Sequence, residues 1–355
     1  MTDSPAAAAE LPHGSPSPRS RVLPWLWRLL VAAIMAVLLW RIVLPQLHAA
    51  WHDVHRLPDY SFLLAGLGFL VELGSIAAYG LLTYAVLPPA TRPRPWRAIR
   101  INLAGVAATN ALPSGGALGT ALRLSLLGGG RSAYAGAAGG LAMELPISGV
   151  VLSAIFVTGA IGCLPAAPGG RWQGVAVVIV VGMLVLFALL AVALTNRRAM
   201  LRVLAALLGW LPTGVRRRTV VFANETVRNM AVFARTPRRL ATPLGWAAAN
   251  WLLDATALGT FLAAAGFRPG ILALLLAHGL ACVLALLPFT PAGLGVVEGV
   301  LVPTLVALGA SPAEAVLGVT GWRLAQYWLP IPLGALALLT LRWRPRRRPA
   351  RTSAA

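Results

Sequence analysis

Four acidic residues, Glu72, Glu144, Asp254 and Glu298, lie inside long apolar runs, and two arginines, Arg123 and Arg323, flank or enter others. An ionisable group at the centre of a bilayer costs about 2.5 to 3.5 kcal/mol on insertion scales, so each of these is a functional candidate with a partner to be named. The most economical pairing sets Glu298 against Arg323, and Arg123 against Glu144 or Glu72. Such pairs can simply lock helices together. Alternatively, Arg123 and Arg323 face a cavity where their forked donors attract the phosphate of a lipid headgroup, and the carboxylates hold them in place or take protons. Asp254 and His278 are secondary candidates, and His278 reads as a polar contact between helices before it reads as a proton relay.

The run from Leu287 to Gly299 carries Glu298 together with Pro288, Pro291, Gly293 and Gly295. The prolines remove backbone donors and block a continuous helix, while the glycines open conformations that other residues reach only with strain. In hydrocarbon, broken backbone survives only where it is buried in protein or lines a watery cavity, so this stretch is expected to face an interior pathway. The run from Leu112 to Gly119 echoes it, with Pro113, Gly115 and Gly116, and Gly119 aligns on Gly295. Paired, interrupted apolar segments in two halves of a chain point to the binding site of a secondary transporter. Ser114 is the one tempting nucleophile, with His278 as its only base, but serine beside glycines is ordinary turn chemistry. With no phosphate-cradling loop that carries lysine, ATP-driven transport within this chain is not expected, and neither is enzymatic activity.

These residues need a membrane-embedded scaffold, and composition supplies one. Of 355 residues 58% are hydrophobic and 11% charged, and the mean hydropathy is +0.77, too apolar for a soluble globular protein. The formal charge of +20 is carried by arginine with no lysine at all. The arginines cluster between apolar runs, as the positive-inside rule expects, so the excess charge does not signal nucleic-acid binding. Cys163, read as a loop residue, and Cys282, inside an apolar run, show no disulfide or metal spacing and are expected to be inert. His48, His52 and His55 are read as solvated residues of an interfacial helix. No metal and no cofactor is expected.

In chain order, residues 1–21 read as a disordered cytoplasmic tail, 22–343 as the transmembrane domain, and 344–355 as a basic cytoplasmic tail. Crossings are expected at Pro24 to Val43, Tyr60 to Leu87, Ala133 to Ile161, Val175 to Leu194, Pro243 to Ala265 and Ala313 to Leu341. Ile101 to Leu127 has arginine on both sides and reads as a re-entrant hairpin entered from the cytoplasm. Ile271 to Leu287 and Leu294 to Leu308 flank the second break and read as a hairpin entered from outside. The fold class is therefore an all-α polytopic membrane protein of two inverted repeats with broken or re-entrant helices. The alternative is full crossing by each hairpin arm, which gives about ten spans with the same termini. The arginine-rich segment 196–240 carries Leu201, Leu204, Leu208 and Leu211 at helical spacing and is expected to lie on an anionic membrane surface.

The break from Asn110 through Pro113 to Gly119 and Arg123, the run Pro288-Phe-Thr-Pro-Ala-Gly-Leu-Gly-Val-Val-Glu298-Gly, and the later Gly321-Trp-Arg323 together resemble a known family. The chain looks like the lysylphosphatidylglycerol synthetase transmembrane-region family, also called flippase-like membrane proteins, over about residues 22 to 343. Gly119-Thr120 stands where the family has Gly-Glu before its arginine, which leaves Glu144 to take that place. The resemblance implies a multi-pass protein of the bacterial inner membrane, termini in the cytoplasm, that moves an aminoacylated phospholipid or other modified lipid between leaflets. Arg123, Glu144, Pro291, Gly293, Gly295, Glu298 and Arg323 are then the expected substrate pathway. Two alternatives stay open: a membrane-embedded transferase on a lipid substrate, and a non-catalytic membrane partner of a separate lipid-modifying enzyme.

Overall fold

A helix in a bilayer gains little from apolar burial against another, because lipid tails are as apolar as leucine; close packing of small residues and polar contacts between helices do the work instead. The computed structural model follows that rule. It describes residues 60–111, 115–128, 131–163, 237–285 and 296–342, and among them every regular element is helical. The expected segments Pro24 to Val43 and Val175 to Leu194, the basic segment up to residue 236, both tails, His48, His52, His55, Ser114, Pro291, Gly293 and Gly295 lie outside the described residues.

In chain order the helices are α1 (Phe62–Val86), α2 (Pro95–Ala111), α3 (Gly115–Leu127), α4 (Arg131–Cys163), α5 (Pro237–Ala264), α6 (Ile271–Ala285), α7 (Val296–Ala307), α8 (Pro312–Arg323) and α9 (Pro330–Arg342). A π-helical turn, Leu324–Trp328, joins α8 to α9, and the stretch Pro312–Leu341 forms one apolar span. Phe62–Val86, Gly136–Cys163 and Pro312–Leu341 are each long and apolar enough to cross a membrane. They present Leu63, Leu70, Leu145, Leu336 and Leu339 outward, as lipid-facing helices do. The protein is a helical membrane protein.

Most expected boundaries shift by a residue or two. The larger shifts are at α2, which starts at Pro95 where Ile101 was expected, at α5, which starts at Pro237 and accommodates Pro243 inside it, and at Cys163, which closes α4 where a loop was expected. Two helix ends use glycine in the left-handed region. Gly266 (φ 104°) and Gly309 (φ 105°) let Phe267 N–H donate back to Leu262 O and Ala310 N–H to Leu305 O, which satisfies carbonyls that the helices leave open. Ser311 and Glu314 then cap α8 reciprocally.

Packing falls into two matching series. The first helix of each series packs on the second, the second on the third and the third on the fourth: α1 to α4, then α5 to α8. The first also meets the fourth in both, α1 with α4 and α5 with α8. Across the series α1 lies along α5, α4 along α6, and α2 along α9. The α1–α5 contact combines Phe69 edge-on to Phe261 at 5.1 Å with a polar clasp, in which Asn250 Nδ2 donates to Ser75 Oγ at 2.8 Å and to Ser75 O at 3.2 Å. Leu258, Phe261, Leu262, Leu301, Leu305 and Trp322 form the main core between α5, α7 and α8.

The α4–α6 contact depends on Gly159, where a Cβ would lie 2.9 Å from Leu272 O and 2.9 Å from Leu275 C, both backbone atoms. Gly149 on the same helix has nothing within 4 Å of that position. Gly159→Ala is therefore expected to cost about 1 to 3 kcal/mol by forcing two backbones apart. Gly149→Ala should be neutral or stabilise by up to about 1 kcal/mol. Thermal unfolding of the two variants in detergent checks this, and equal melting temperatures would remove the close α4–α6 approach as a determinant of stability.

Candidate functional site

Arg123 sits on α3, the shorter arm of the first broken pair. Gly105 on α2 and Gly119 on α3 let the arms touch, and a Cβ on Gly105 would stand 2.5 Å from Arg123 Cδ. The absent side chain thus makes the trough in which the arginine stem lies. At its end, Nη2 donates to Glu144 Oε1 at 2.6 Å and Oε2 at 2.8 Å, and to Thr83 Oγ1 at 2.6 Å. The guanidinium lies 5.7 Å from the centre of the Tyr79 ring. Arg123 Nε is buried with no hydrogen-bond partner among the described residues. Of the two acidic partners that the sequence leaves open, the structure places Glu144 beside Arg123.

Arg323 closes α8 and meets the carboxylate of the second arm: its Nε donates to Glu298 Oε1 at 2.6 Å. Nη1 donates to Gln326 Oε1 at 3.2 Å, and the Tyr327 ring centre is 5.5 Å away. Glu298 lies in the first turn of α7, where the positive end of the helix dipole favours a carboxylate. The side chains of this pair are 7% and 20% exposed, against 9% and 3% for Arg123 and Glu144, so Glu298 is the more open of the two carboxylates. The pairs are charge-swapped: the cation rides on the short arm α3 in one and the anion on the short arm α7 in the other.

The π-helical turn next to Arg323 has a local cause. Pro330 has no N–H and would clash with the carbonyl four residues before it in a regular helix. Widening the turn relieves this, and Leu329 N–H donates to Leu324 O at 2.9 Å. Tyr327 O is served from across the molecule by Asn110 Nδ2 at 2.9 Å, and Tyr327 Oη donates back to Asn110 O at 2.7 Å. This double bond ties the end of α2, at the first break, to the turn that follows Arg323. π-turns of this kind recur at functional sites.

Asp254, Glu72 and His278 do not join either arginine pair in this geometry but gather at a separate buried joint. Trp322 Nε1 donates to Asp254 Oδ1 at 2.6 Å, His278 Nε2 lies 3.1 Å from Asp254 Oδ2, and Cys282 Sγ is 3.5 Å from the same ring nitrogen. The Glu72 carboxyl meets that of Asp254. Thr83, Asn110, Tyr327, Trp322 and Cys282 are polar partners that sequence reasoning did not assign. For Cys282 a signal existed, since it follows His278 by one helical turn; for the others the partner is far along the chain.

Replacing Glu144 by leucine is expected to destabilise the fold by about 3 to 5 kcal/mol, because Arg123 is left charged in a closed pocket. The double variant with Arg123→Met should recover most of that loss. Glu298→Leu should cost less, since that side chain is 20% exposed and its pocket is less closed. Thermal melts of the four proteins decide the point; a double variant no more stable than Glu144→Leu alone would show that the pair is not a unit.

No curated protein and no solved structure matches the chain. A family model does, over residues 25–334, which takes in every described residue of both pairs and of the Asp254 joint. Two interrupted apolar helix pairs, each closed by a buried arginine and carboxylate, thus lie within that match, and the chain belongs to the lysylphosphatidylglycerol synthase TM region family.

Proposed function

We propose that this protein translocates a lipid with an anionic or modified headgroup between the leaflets of the bacterial inner membrane, as a flippase-like transporter and not an enzyme. One observation carries the reading: two charge-swapped Arg–Glu pairs, each with a buried arginine, stand at matching places in two series of helices. Each arginine already has its charge balanced, so holding it at membrane depth costs less than an isolated cation would. A guanidinium's planar fork suits a phosphate as it suits the carboxylate each now holds. In this reading Arg123, Glu144, Pro291, Gly293, Gly295, Glu298 and Arg323 line the headgroup path.

The matched packing supports two repeats, α1–α4 and α5–α8, and arginine placement supports their inversion, with the hairpins α2–α3 and α6–α7 entered from opposite sides and both termini in the cytoplasm. The family name supports a lipid substrate, and a separate lipid-modifying enzyme is the partner this chemistry calls for.

Leaflet-resolved lipid assays on proteoliposomes test the reading. Glu298→Gln keeps shape and hydrogen bonding but removes charge, and is expected to reach normal abundance with translocation lost. Full recovery of abundance and transport in Glu298→Gln with Arg323→Met would make Glu298 a structural residue instead. A lipid product with altered covalent structure would favour a transferase. Cysteines introduced at Ser114 and Ala292 are expected to label from opposite faces; labelling of both from one face would sink the inverted arrangement.

A further inference from the structure

The Asp254 joint contains more than a histidine–aspartate contact needs. His278 and Cys282 stand one turn apart on α6 and so share a face; both are buried, as is Asp254 on α5. Their ligand-type atoms all lie within 4.8 Å of one another. One nitrogen, His278 Nε2, faces both Asp254 Oδ2 at 3.1 Å and Cys282 Sγ at 3.5 Å. A single N–H can point at one of these, whereas a cation between the three would satisfy all of them. Tetrahedral zinc, with bonds of about 2.0 to 2.1 Å to nitrogen and oxygen and about 2.3 Å to sulfur, sets nitrogen roughly 3.3 Å from oxygen and 3.6 Å from sulfur. The two separations at His278 Nε2 match that edge geometry, and the Asp254 and Cys282 ligand atoms lie within 4.8 Å of each other.

A second observation points the same way. Glu72, 2% exposed on α1, brings its carboxyl against Asp254, and its Oε2 has no hydrogen-bond partner among the described residues. The aspartate is oriented by an outer partner, while His278 Nδ1 has none among the described residues. Trp322 Nε1 holds Asp254 by Oδ1 and leaves Oδ2 turned inward, while the Trp251 and Trp322 rings flank the imidazole edge-to-face at 6.1 and 5.9 Å. Such outer partners fix ligand orientation.

We propose that Asp254, His278 and Cys282 bind one thiophilic divalent cation of the Zn2+ class, with the Glu72 carboxyl beside the aspartate ligand. Thiolate with imidazole selects zinc or cobalt over magnesium or calcium. A dication also neutralises the aspartate and the thiolate together, which removes the main cost of burying them. The three protein ligands come from α5 and α6, so the ion ties these two helices together where Trp322 of α8 meets them.

Cobalt is the probe, and the test is independent of transport. The full-length protein, purified in detergent, treated with chelator and kept reduced, is titrated with Co2+. One equivalent per chain is expected, with a thiolate-to-cobalt charge-transfer band and the strong visible bands of tetrahedral cobalt, all displaced by Zn2+. Cys282→Ser should abolish the charge-transfer band, and Cys163→Ser should keep it. Trp322→Phe should keep the band but weaken Co2+ binding about 10- to 100-fold. Zn2+ should also raise the melting temperature of the wild type and not of Cys282→Ser, which covers a variant that folds poorly. Absence of the band in the reduced wild-type protein, or its persistence in Cys282→Ser, overturns the proposal.

Discussion

An ionised side chain cannot be left alone at membrane depth, and the arrangement of these helices follows from that constraint. Arg123 draws α3 onto α4 and α1, through Glu144 and Thr83. Arg323 draws α8 onto α7 through Glu298, and Asp254 draws α5 onto α6 and α8 through His278 and Trp322. Between apolar helices in lipid there is little hydrophobic gain to choose one mutual rotation over another. A buried charge makes the choice, because a wrong rotation leaves it uncompensated. Trp322 and Arg323 are consecutive, so one turn of α8 holds two of these joints in a fixed relation.

Backbone breaks are governed by the same logic applied to N–H and C=O groups. Pro330 forces a wider turn, and the carbonyl of Tyr327 is then met by Asn110 from the other series. A regular helix would have needed no such partner. The break therefore becomes a link between α2 and α9, reinforced by the lie of Gly334 against Leu103 and Ala107. Small residues serve the complementary purpose at the arginine: Gly105 supplies the space in which the Arg123 stem reaches its carboxylate.

Much of this was legible in the sequence. Length and apolar runs place α1, α4 and the α8–α9 span because each exceeds what a bilayer requires, and Glu298 with Arg323 is an economical pairing of rare charges. Arg123 remained open between two acids because sequence spacing carries no information on which face of α1 turns toward α3; Glu72 in fact faces α5. Pro243 misled the start of α5, since a proline in a helix reads as a boundary when its neighbours' packing is unknown. The Asp254 joint was missed because its members come from four helices, and only the His278 to Cys282 interval is local.

In the proposed translocation, the charge swap between the two pairs has a mechanical consequence for an anionic headgroup. At the second pair, a phosphate that engages Arg323 competes with Glu298 and so frees the first turn of α7, while Leu301 and Leu305 further along it stay in the core with α5 and α8. At the first, a phosphate that engages Arg123 competes with Glu144 and loosens α3, while α4 stays held along α6. Opposite charges on the arms thus give the same result, release on the short arm and not on the long helix. Had both arms carried the cation, the ligand would have bound a moving arm at each site. With the swap, the proposed translocation has one anchor point that moves with the headgroup and one that stays fixed to the scaffold, an asymmetry suited to passing a headgroup from one site to the other.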